Sequence, residues 1–106
     1  MHVIEQAGHP TEVSTPTYVE QFRVPDLSVG TYSIPAGGVD GQGPHTEDEV
    51  YVVTAGRGRL WTADLTVDAT PGSVLFVPAG EPHRFIDVTE ALTLLVLFGP
   101  AEDARA

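Results

Sequence analysis

Two histidines and one glutamate are the residues of this chain whose types and spacing favour metal chemistry. His45 and Glu49 lie four positions apart, just before the β-prone run Val50–Ala55. A strand there would place Glu49 and Tyr51 on the same face. A neutral imidazole and a carboxylate both bind divalent transition metals, and two histidines with one carboxylate leave coordination positions open for water, oxygen or substrate. With His83 as the third ligand, the sequence predicts a metal site built from His45, Glu49 and His83.

The segment before His83 predicts that its imidazole is aimed by a rigid turn. Pro78–Pro82 cannot continue a strand, because its two prolines lack N–H donors and its glycine interrupts regular pairing. Upstream, Pro71-Gly72 suits a type II turn, and Ser73–Val77 is a short apolar run typical of a buried strand. His83 is therefore expected at the first position of a new strand.

Short β-prone segments separated by turn signals cover most of the chain, and we predict no helix. Eight such strands at close spacing indicate an all-β sandwich or barrel. A turn is expected at Gly56-Arg57-Gly58. The barrel is expected over residues 17–100, after an N-terminal segment, 1–16, that could add an edge strand, and before a flexible tail, 101–106. The predicted strands are Thr17–Val24, Val29–Ile34, Val50–Ala55, Arg59–Thr62, Leu65–Asp68, Ser73–Val77, His83–Val88 and Leu92–Phe98.

Composition argues against several classes of partner. The 106 residues suggest one domain. The net charge of −10, from 15 acidic and 5 basic residues, argues against nucleic acid and anionic membranes, because both select basic surfaces. The chain has no cysteine, which excludes disulfides and thiolate ligands and fits a reduced cytosol. No segment approaches the ~20 apolar residues of a membrane span, and the N-terminus does not read as a signal peptide. We therefore expect a cytoplasmic protein.

Taken together, the two stretches resemble the cupin superfamily, whose fold is a double-stranded β-helix, or jelly-roll barrel. The downstream pattern of that family is G-x5-P-x-G-x2-H-x3-N. This chain supplies Gly72, Pro78, Gly80 and His83 at that spacing, with Asp87 in place of the asparagine. Fifteen residues separate Gly56 from Gly72, which is similar to the short spacer of small, single-domain bacterial cupins.

The upstream pattern of the family, G-x5-H-x-H-x3-E-x6-G, is matched with one departure. Gly37, His45, Glu49 and Gly56 stand at the expected positions, but Gly43 replaces the first histidine and has no side chain that could bind a metal. The usual site of the family has three histidines and one glutamate. The resemblance therefore implies either a triad of His45, Glu49 and His83 with an extra open position, or a neighbour that substitutes. The candidates to substitute are Gln42 and Asp40, followed by Glu47.

The resemblance also implies a small-molecule pocket inside the barrel. Tyr51 shares strand parity with Glu49, and Phe85 and Asp87 share it with His83. The candidate pocket residues are Tyr32, Tyr51, Phe85 and Asp87. The last strand, Leu92–Phe98, is apolar on both faces, so its outer face needs a cover from the N-terminal segment or from another subunit. We expect a homodimer formed through an outer sheet face.

Three functions fit these features. The favoured one is a metal-dependent enzyme acting on a small organic molecule, with one divalent transition metal. Iron, the first choice, would support a dioxygenase; manganese, nickel, copper and zinc are alternatives, and zinc or manganese would suit an isomerase, cyclase or lyase through Lewis-acid chemistry. The second is a non-catalytic cupin that binds a small ligand. The third is an accessory cupin with a vestigial site, which would agree with Gly43.

Overall fold

Residues 1–104 are described by the computed structural model, which forms six antiparallel strands and no helix over that range. The strand order is β1-β2-β6-β3-β4, and β5 pairs with β3 beside β4. The all-β prediction is therefore confirmed. Over the same range, no helix has the length and apolar character needed to cross a membrane. The strands are β1 Thr17–Val24, β2 Leu27–Ile34, β3 Asp48–Thr62, β4 Thr66–Ala69, β5 Val74–Val77 and β6 His83–Gly99.

Two long strands replace four of the eight that the sequence predicts. β3 contains both Val50–Ala55 and Arg59–Thr62, and β6 contains both His83–Val88 and Leu92–Phe98. The expected turn at Gly56-Arg57-Gly58 is wrong, because β3 bends there through register shifts against β6 and does not end.

Gly56 shows why β3 can bend at this point. Its φ is 87°, and a Cβ atom there would overlap the carbonyl oxygen of Ala91 on β6. Only glycine combines a left-handed backbone with so close an approach of a neighbouring strand. The bend lets β3 and β6 pair along nearly their full lengths, from Asp48–Gly99 to Thr62–His83.

The core lies on one face of the curved sheet, and β3 shows the alternation that creates it. Glu49, Tyr51 and Val53 are buried, while Val50 and Val52 on the opposite face are partly exposed. This is the face assignment that the sequence predicts for β3. The buried cluster consists of Ile34, Tyr51, Val53, Leu60, Ala69, Val77, Phe85, Val88, Leu92, Leu94, Val96 and Phe98.

The N-terminal segment, residues 1–16, forms no strand but contacts the outer face of the sheet. The Gly8 N–H donates a hydrogen bond to Thr31 Oγ1 at 2.8 Å, and the Gly8 carbonyl accepts one from Thr54 Oγ1 at 2.7 Å. Gly8 also lies against Leu95 on β6. The N-terminal segment is thus one cover for the outer apolar face of β6.

The C-terminal segment returns to the barrel after β6. Ala101 is buried, the Glu102 N–H donates to Ser28 Oγ at 2.9 Å, and the Asp103 N–H donates to Glu47 Oε1 at 3.1 Å. In the part of the tail that the structure describes, residues 101–104, the chain is therefore in contact with the barrel. Residues 105 and 106 of the predicted tail lie outside the described residues.

Candidate metal centre

His45, Glu49 and His83 come together at one point inside the barrel. Each offers one ligand atom, and the three atoms lie within 4.8 Å of one another. Glu49 is the second residue of β3 and His83 is the first residue of β6, while His45 lies in the loop just before β3. Glu49 is 2% exposed and His83 is 4% exposed, so these two side chains are removed from bulk solvent.

The ring of His83 is oriented by the turn that precedes it. Its Nδ1 lies 2.8 Å from the Glu81 carbonyl oxygen, which can only accept a hydrogen bond, so Nδ1 carries a proton. Its Nε2 faces the cluster, 3.0 Å from the Tyr51 hydroxyl and 3.0 Å from Glu49 Oε1. Burial lowers the pKa of His83, but the interactions with Glu49 and the Glu81 carbonyl outweigh it and raise the pKa above its usual value. In the neutral ring, the lone pair of Nε2 is therefore directed at the cluster.

The donor set fits a divalent transition metal. Glu49 Oε1 is buried and has no hydrogen-bond partner among residues 1–104, although it lies within ion-pair distance of His83 Nε2. A buried carboxylate is costly unless a positive charge lies beside it, and a metal ion at the cluster would offset that cost as the protonated ring of His83 does in its absence. Two imidazole nitrogens and one carboxylate oxygen match the preferences of the first-row divalent metals.

Gln42 is held with its amide oxygen towards the cluster. Its Nε2 donates to Asp40 Oδ2 at 2.8 Å, which fixes the orientation of the amide. Its Oε1 lies 3.1 Å from His45 Nε2 and accepts a hydrogen bond from the Tyr51 hydroxyl at 3.1 Å. Gln42 thus lies beside the three candidate ligands, one residue before Gly43.

The other two residues that could replace the missing histidine are engaged elsewhere. Asp40 accepts hydrogen bonds from the Tyr32 hydroxyl at 2.6 Å and from the Phe85 N–H at 2.8 Å. Glu47 accepts hydrogen bonds from the Asp103 N–H and from the Thr46 hydroxyl. Asp40 therefore connects the glycine-rich loop to β2 and β6, and Glu47 holds the C-terminal segment.

A cavity of about 340 Å³ opens beside the cluster. Of the predicted pocket residues, Tyr32 and Tyr51 line it. Phe85 lies behind Tyr51, with the two rings edge to face at 4.9 Å between centroids. Asp87 is exposed and outside the cavity, because its φ of 50° at a bulge of β6 breaks the alternation and Val88 takes the buried position.

Two cavity residues with ionisable side chains were missed by sequence reasoning, Tyr18 and Glu102. Tyr18 lies on β1, directly opposite Tyr32 in the pairing with β2. Glu102 Oε2 lies 3.7 Å from His45 Nδ1, and burial raises the pKa of this carboxyl. A carboxylate on the outer nitrogen of a histidine ligand orients the ring and makes it a stronger ligand. No sequence signal marks either residue, since Glu102 stands in a small polar tail and Tyr18 reaches the cavity only through a register shift in β1.

A curved antiparallel barrel that brings two histidines and a glutamate together beside a cavity is typical of a cupin-type protein. The chain belongs to the cupin family: the family model described as "Cupin domain" matches residues 30–98. The resemblance inferred from the two spaced motifs is thereby confirmed.

Similar proteins agree on the fold. The chain is 42% identical over 85 residues to "Uncharacterized protein SCO3923" of Streptomyces coelicolor, covering 80% of this chain and 81% of that protein. A conserved Klebsiella pneumoniae protein with a double-stranded β-helix domain superposes with a TM-score of 0.76 at 13% identity, covering 94% of this chain and 89% of that one. KdgF from Halomonas sp. gives a TM-score of 0.75 at 16% identity, covering 92% and 91%. At such low identities these two structures support the fold alone.

Proposed function

We propose that this cupin binds one divalent transition metal through His45, Glu49 and His83 and acts on a small organic molecule in the adjacent cavity. The observation that carries the proposal is the buried cluster itself: one ligand atom of each of the three residues lies within 4.8 Å of the others, and Glu49 Oε1 lies 3.0 Å from His83 Nε2. Two histidines and one carboxylate with open positions are the arrangement of non-haem iron oxygenases. The reaction we propose is a dioxygenase reaction with iron.

Each residue of the site has a distinct part in this proposal. His83 would bind through Nε2, because its Nδ1 is held by the Glu81 carbonyl. His45 would bind through the nitrogen that faces Gln42, while Glu102 orients its other nitrogen. Gln42 is the proposed weak fourth ligand in place of Gly43. When bound, iron would supply the activation of dioxygen, whereas zinc or manganese would supply Lewis-acid polarisation.

Around these ligands, the protein itself provides the shape of the pocket. Tyr32 and Tyr51 form part of the cavity wall, and Phe85 packs behind Tyr51. The Tyr51 hydroxyl lies between His83 Nε2 and Gln42 Oε1, at 3.0 Å and 3.1 Å. It therefore connects the two sides of the proposed metal site and limits how far either side chain can rotate.

Metal analysis tests the site directly. We expect the purified protein to contain close to one divalent metal per chain, and His45→Ala to lose most of it. His9→Ala, which removes an exposed histidine far from the cluster in sequence, is the matched control and should keep the metal. Full metal content in His45→Ala would contradict the triad.

Dioxygen consumption by the iron-loaded protein with a panel of small substrates would support the dioxygenase. Turnover with zinc and without dioxygen would instead identify a Lewis-acid isomerase, cyclase or lyase. Metal binding without any turnover would identify a binding protein.

We also propose that the protein is cytoplasmic, because a chain without cysteine forms no disulfides.

We further propose a homodimer formed through the outer sheet face. The N-terminal segment covers the face near Leu95, but Val74 and Phe76 at its β5 edge are 66% and 62% exposed. Two adjacent rows of cross-strand neighbours on this face contain no charged residue. The rows are Phe76, Val50, Leu97, Val29, Phe22 and Val74, Val52, Leu95, Thr31, Val19.

The absence of charge matters because each chain carries a net charge of −10, and two copies can approach only where that charge is low. We expect Phe76→Glu to shift the protein to a monomer in analytical ultracentrifugation at micromolar concentration. Leu65→Glu changes an equally exposed apolar residue outside these rows and is the control. A wild-type protein that is monomeric at that concentration contradicts the proposal.

A further inference from the structure

Tyr18 is the cavity phenol whose hydroxyl has no partner. All three tyrosines of the chain line the cavity. The hydroxyl of Tyr32 donates to Asp40, and the hydroxyl of Tyr51 donates to Gln42. The Tyr18 hydroxyl is buried and makes no hydrogen bond with any of residues 1–104. A buried hydroxyl without a partner costs free energy, and Tyr18 belongs to the cavity wall, so an acceptor that enters the cavity beside the ring and reaches the hydroxyl would relieve that cost.

The position of Tyr18 depends on Gly30 of β2. A Cβ atom at Gly30 would overlap both the hydroxyl and the ring of Tyr18, so the hydroxyl end of the ring lies directly against the glycine. The ring also packs edge to face with Phe98, at 6.2 Å between centroids and 78° between planes. Burial, and then the neighbouring Glu102, raise the pKa of Tyr18 far above neutrality. The hydroxyl is therefore a fixed donor that keeps its proton.

The charged groups of the cavity wall are acidic. Glu49 and Glu102 line the cavity, and His45 is the basic residue among its lining groups. No arginine of the described residues lines it, and the sequence contains no lysine. A ligand carboxylate would meet two carboxylates with no fixed counter-ion except the proposed metal. Placing like charges together in such a site is unfavourable.

We propose that the cavity takes a neutral, oxygen-bearing small molecule whose acceptor oxygen is bound by the Tyr18 hydroxyl, and that it disfavours carboxylates. The acceptor would be a carbonyl, amide or ether oxygen, because the phenol donates its proton and the wall offers no second cation. The cavity volume of about 340 Å³ limits the ligand to roughly the size of a substituted six-membered ring. The inference rests on the proposed function only for the end of the ligand near the metal, since Tyr18 and the wall charges belong to the chain itself.

The experiment uses three probes of one size: benzamide, which has a neutral acceptor; benzoate, which has a carboxylate; and toluene, which has neither. The full chain, with ¹³C-labelled tyrosines, is titrated by NMR in metal-free and zinc-loaded form, and all three labels report from the cavity wall. In the metal-free protein we expect benzamide to bind about tenfold tighter than benzoate and to shift the Tyr18 signals. We expect Tyr18→Phe to weaken benzamide about three- to tenfold and to leave toluene unchanged.

Gly30→Ala is the second variant, and it keeps the Tyr18 hydroxyl but displaces it. It should reduce the preference for benzamide over toluene as Tyr18→Phe does. Equal benzamide affinity in the wild type and Tyr18→Phe would overturn the role of Tyr18. Benzoate binding as tight as benzamide in metal-free protein would overturn the preference for neutral ligands, and so would the absence of binding by benzamide. Elemental analysis of the zinc-loaded samples tests the metal site separately, because a chain that holds no zinc still gives the metal-free result.

Discussion

Replacing Asp40 with asparagine tests whether this buried carboxylate organises the site from outside the ligand set. Asp40 is 4% exposed and has no ion-pair partner among the described residues. Its Oδ1 accepts hydrogen bonds from the Tyr32 hydroxyl at 2.6 Å and the Gln42 N–H at 3.2 Å. Its Oδ2 accepts from Gln42 Nε2 and from the Phe85 N–H, both at 2.8 Å. One carboxylate therefore fixes the loop that carries Gln42 against two strands.

The cost of Asp40→Asn follows from these four bonds. Asparagine keeps the shape, but its NH₂ group must face two of the four donors, so two hydrogen bonds are lost. A hydrogen bond to a charged group contributes about 1.5–3 kcal/mol, which gives an expected loss of about 3–6 kcal/mol in the free energy of unfolding. The total free energy of unfolding of a typical domain is only about 5–15 kcal/mol. Since Gln42 is released as well, metal affinity should fall by about ten- to a hundredfold, as it does for other outer-shell changes.

Urea denaturation of the metal-free protein measures the first effect, and competition with a chelator measures the second. Asp48→Asn is the matched control, because Asp48 is exposed and accepts a single hydrogen bond, from the Ala79 N–H at 2.9 Å. It should lose about 1 kcal/mol or less. A loss for Asp40→Asn no larger than that of the control would refute the role assigned to Asp40.

Three further predictions concern the missing ligand, the bend of β3 and the titration of the site. A Cβ atom at Gly43 meets nothing within 4 Å, so a larger side chain fits there. Gly43→His should raise zinc affinity by about tenfold, whereas Gly43→Leu should not. Equal zinc affinities of the two variants would show that this position is not directed at the metal. Gly56→Ala should lower the free energy of unfolding by about 2 kcal/mol or more. The loss should exceed that of Gly37→Ala, where φ is also positive but a Cβ atom has open space. Urea midpoints in the opposite order would contradict the close approach of Gly56 to Ala91. The pKa of His83 is raised in the folded protein, so the protonated ring stabilises the metal-free fold. This stabilisation is complete below the unfolded pKa of about 6.5. It is lost as the pH rises through the folded pKa. Urea midpoints measured across that window should fall for the wild type and stay flatter for His83→Gln, while zinc affinity changes in the opposite direction.

The sequence predicted the strands better than it predicted how they join. Local patterns are strong where a strand ends at proline, as at Val24 and Ile34, since a missing N–H and a fixed φ leave little choice. At Gly56 the same reasoning fails, because a glycine that bends a strand and a glycine that ends one look alike in sequence. What distinguishes them is the partner, and β6 continues opposite Gly56, which is a long-range fact.

The residues of the site show the same difference between local and long-range information. Glu49 and His83 are placed by short-range rules, strand parity for one and a proline-bounded turn for the other, and the structure brings both to the cluster with His45. Asp87 followed the parity of His83 in sequence, yet it lies outside because a bulge on β6 intervenes. Parity is reliable only as far as the next bulge.

Tyr18 shows how large the effect of one extra residue can be. The tight connection pairs Val24 with Leu27, and regular antiparallel pairing from that turn would place Tyr18 opposite Ser33, on the outer face. The structure instead pairs Tyr18 with Tyr32, because the register shifts by one residue between Glu20 and Phe22. A one-residue shift moves every following side chain to the other face, so the bulge is what brings Tyr18 into the cavity. Removing Gln21 from β1 should leave a regular ladder in which Tyr18 still lies opposite Tyr32, so Tyr18 should stay in the cavity and the benzamide preference should be kept. If the deletion abolished the preference, the bulge itself, and not the pairing with Tyr32, would hold the donor in place.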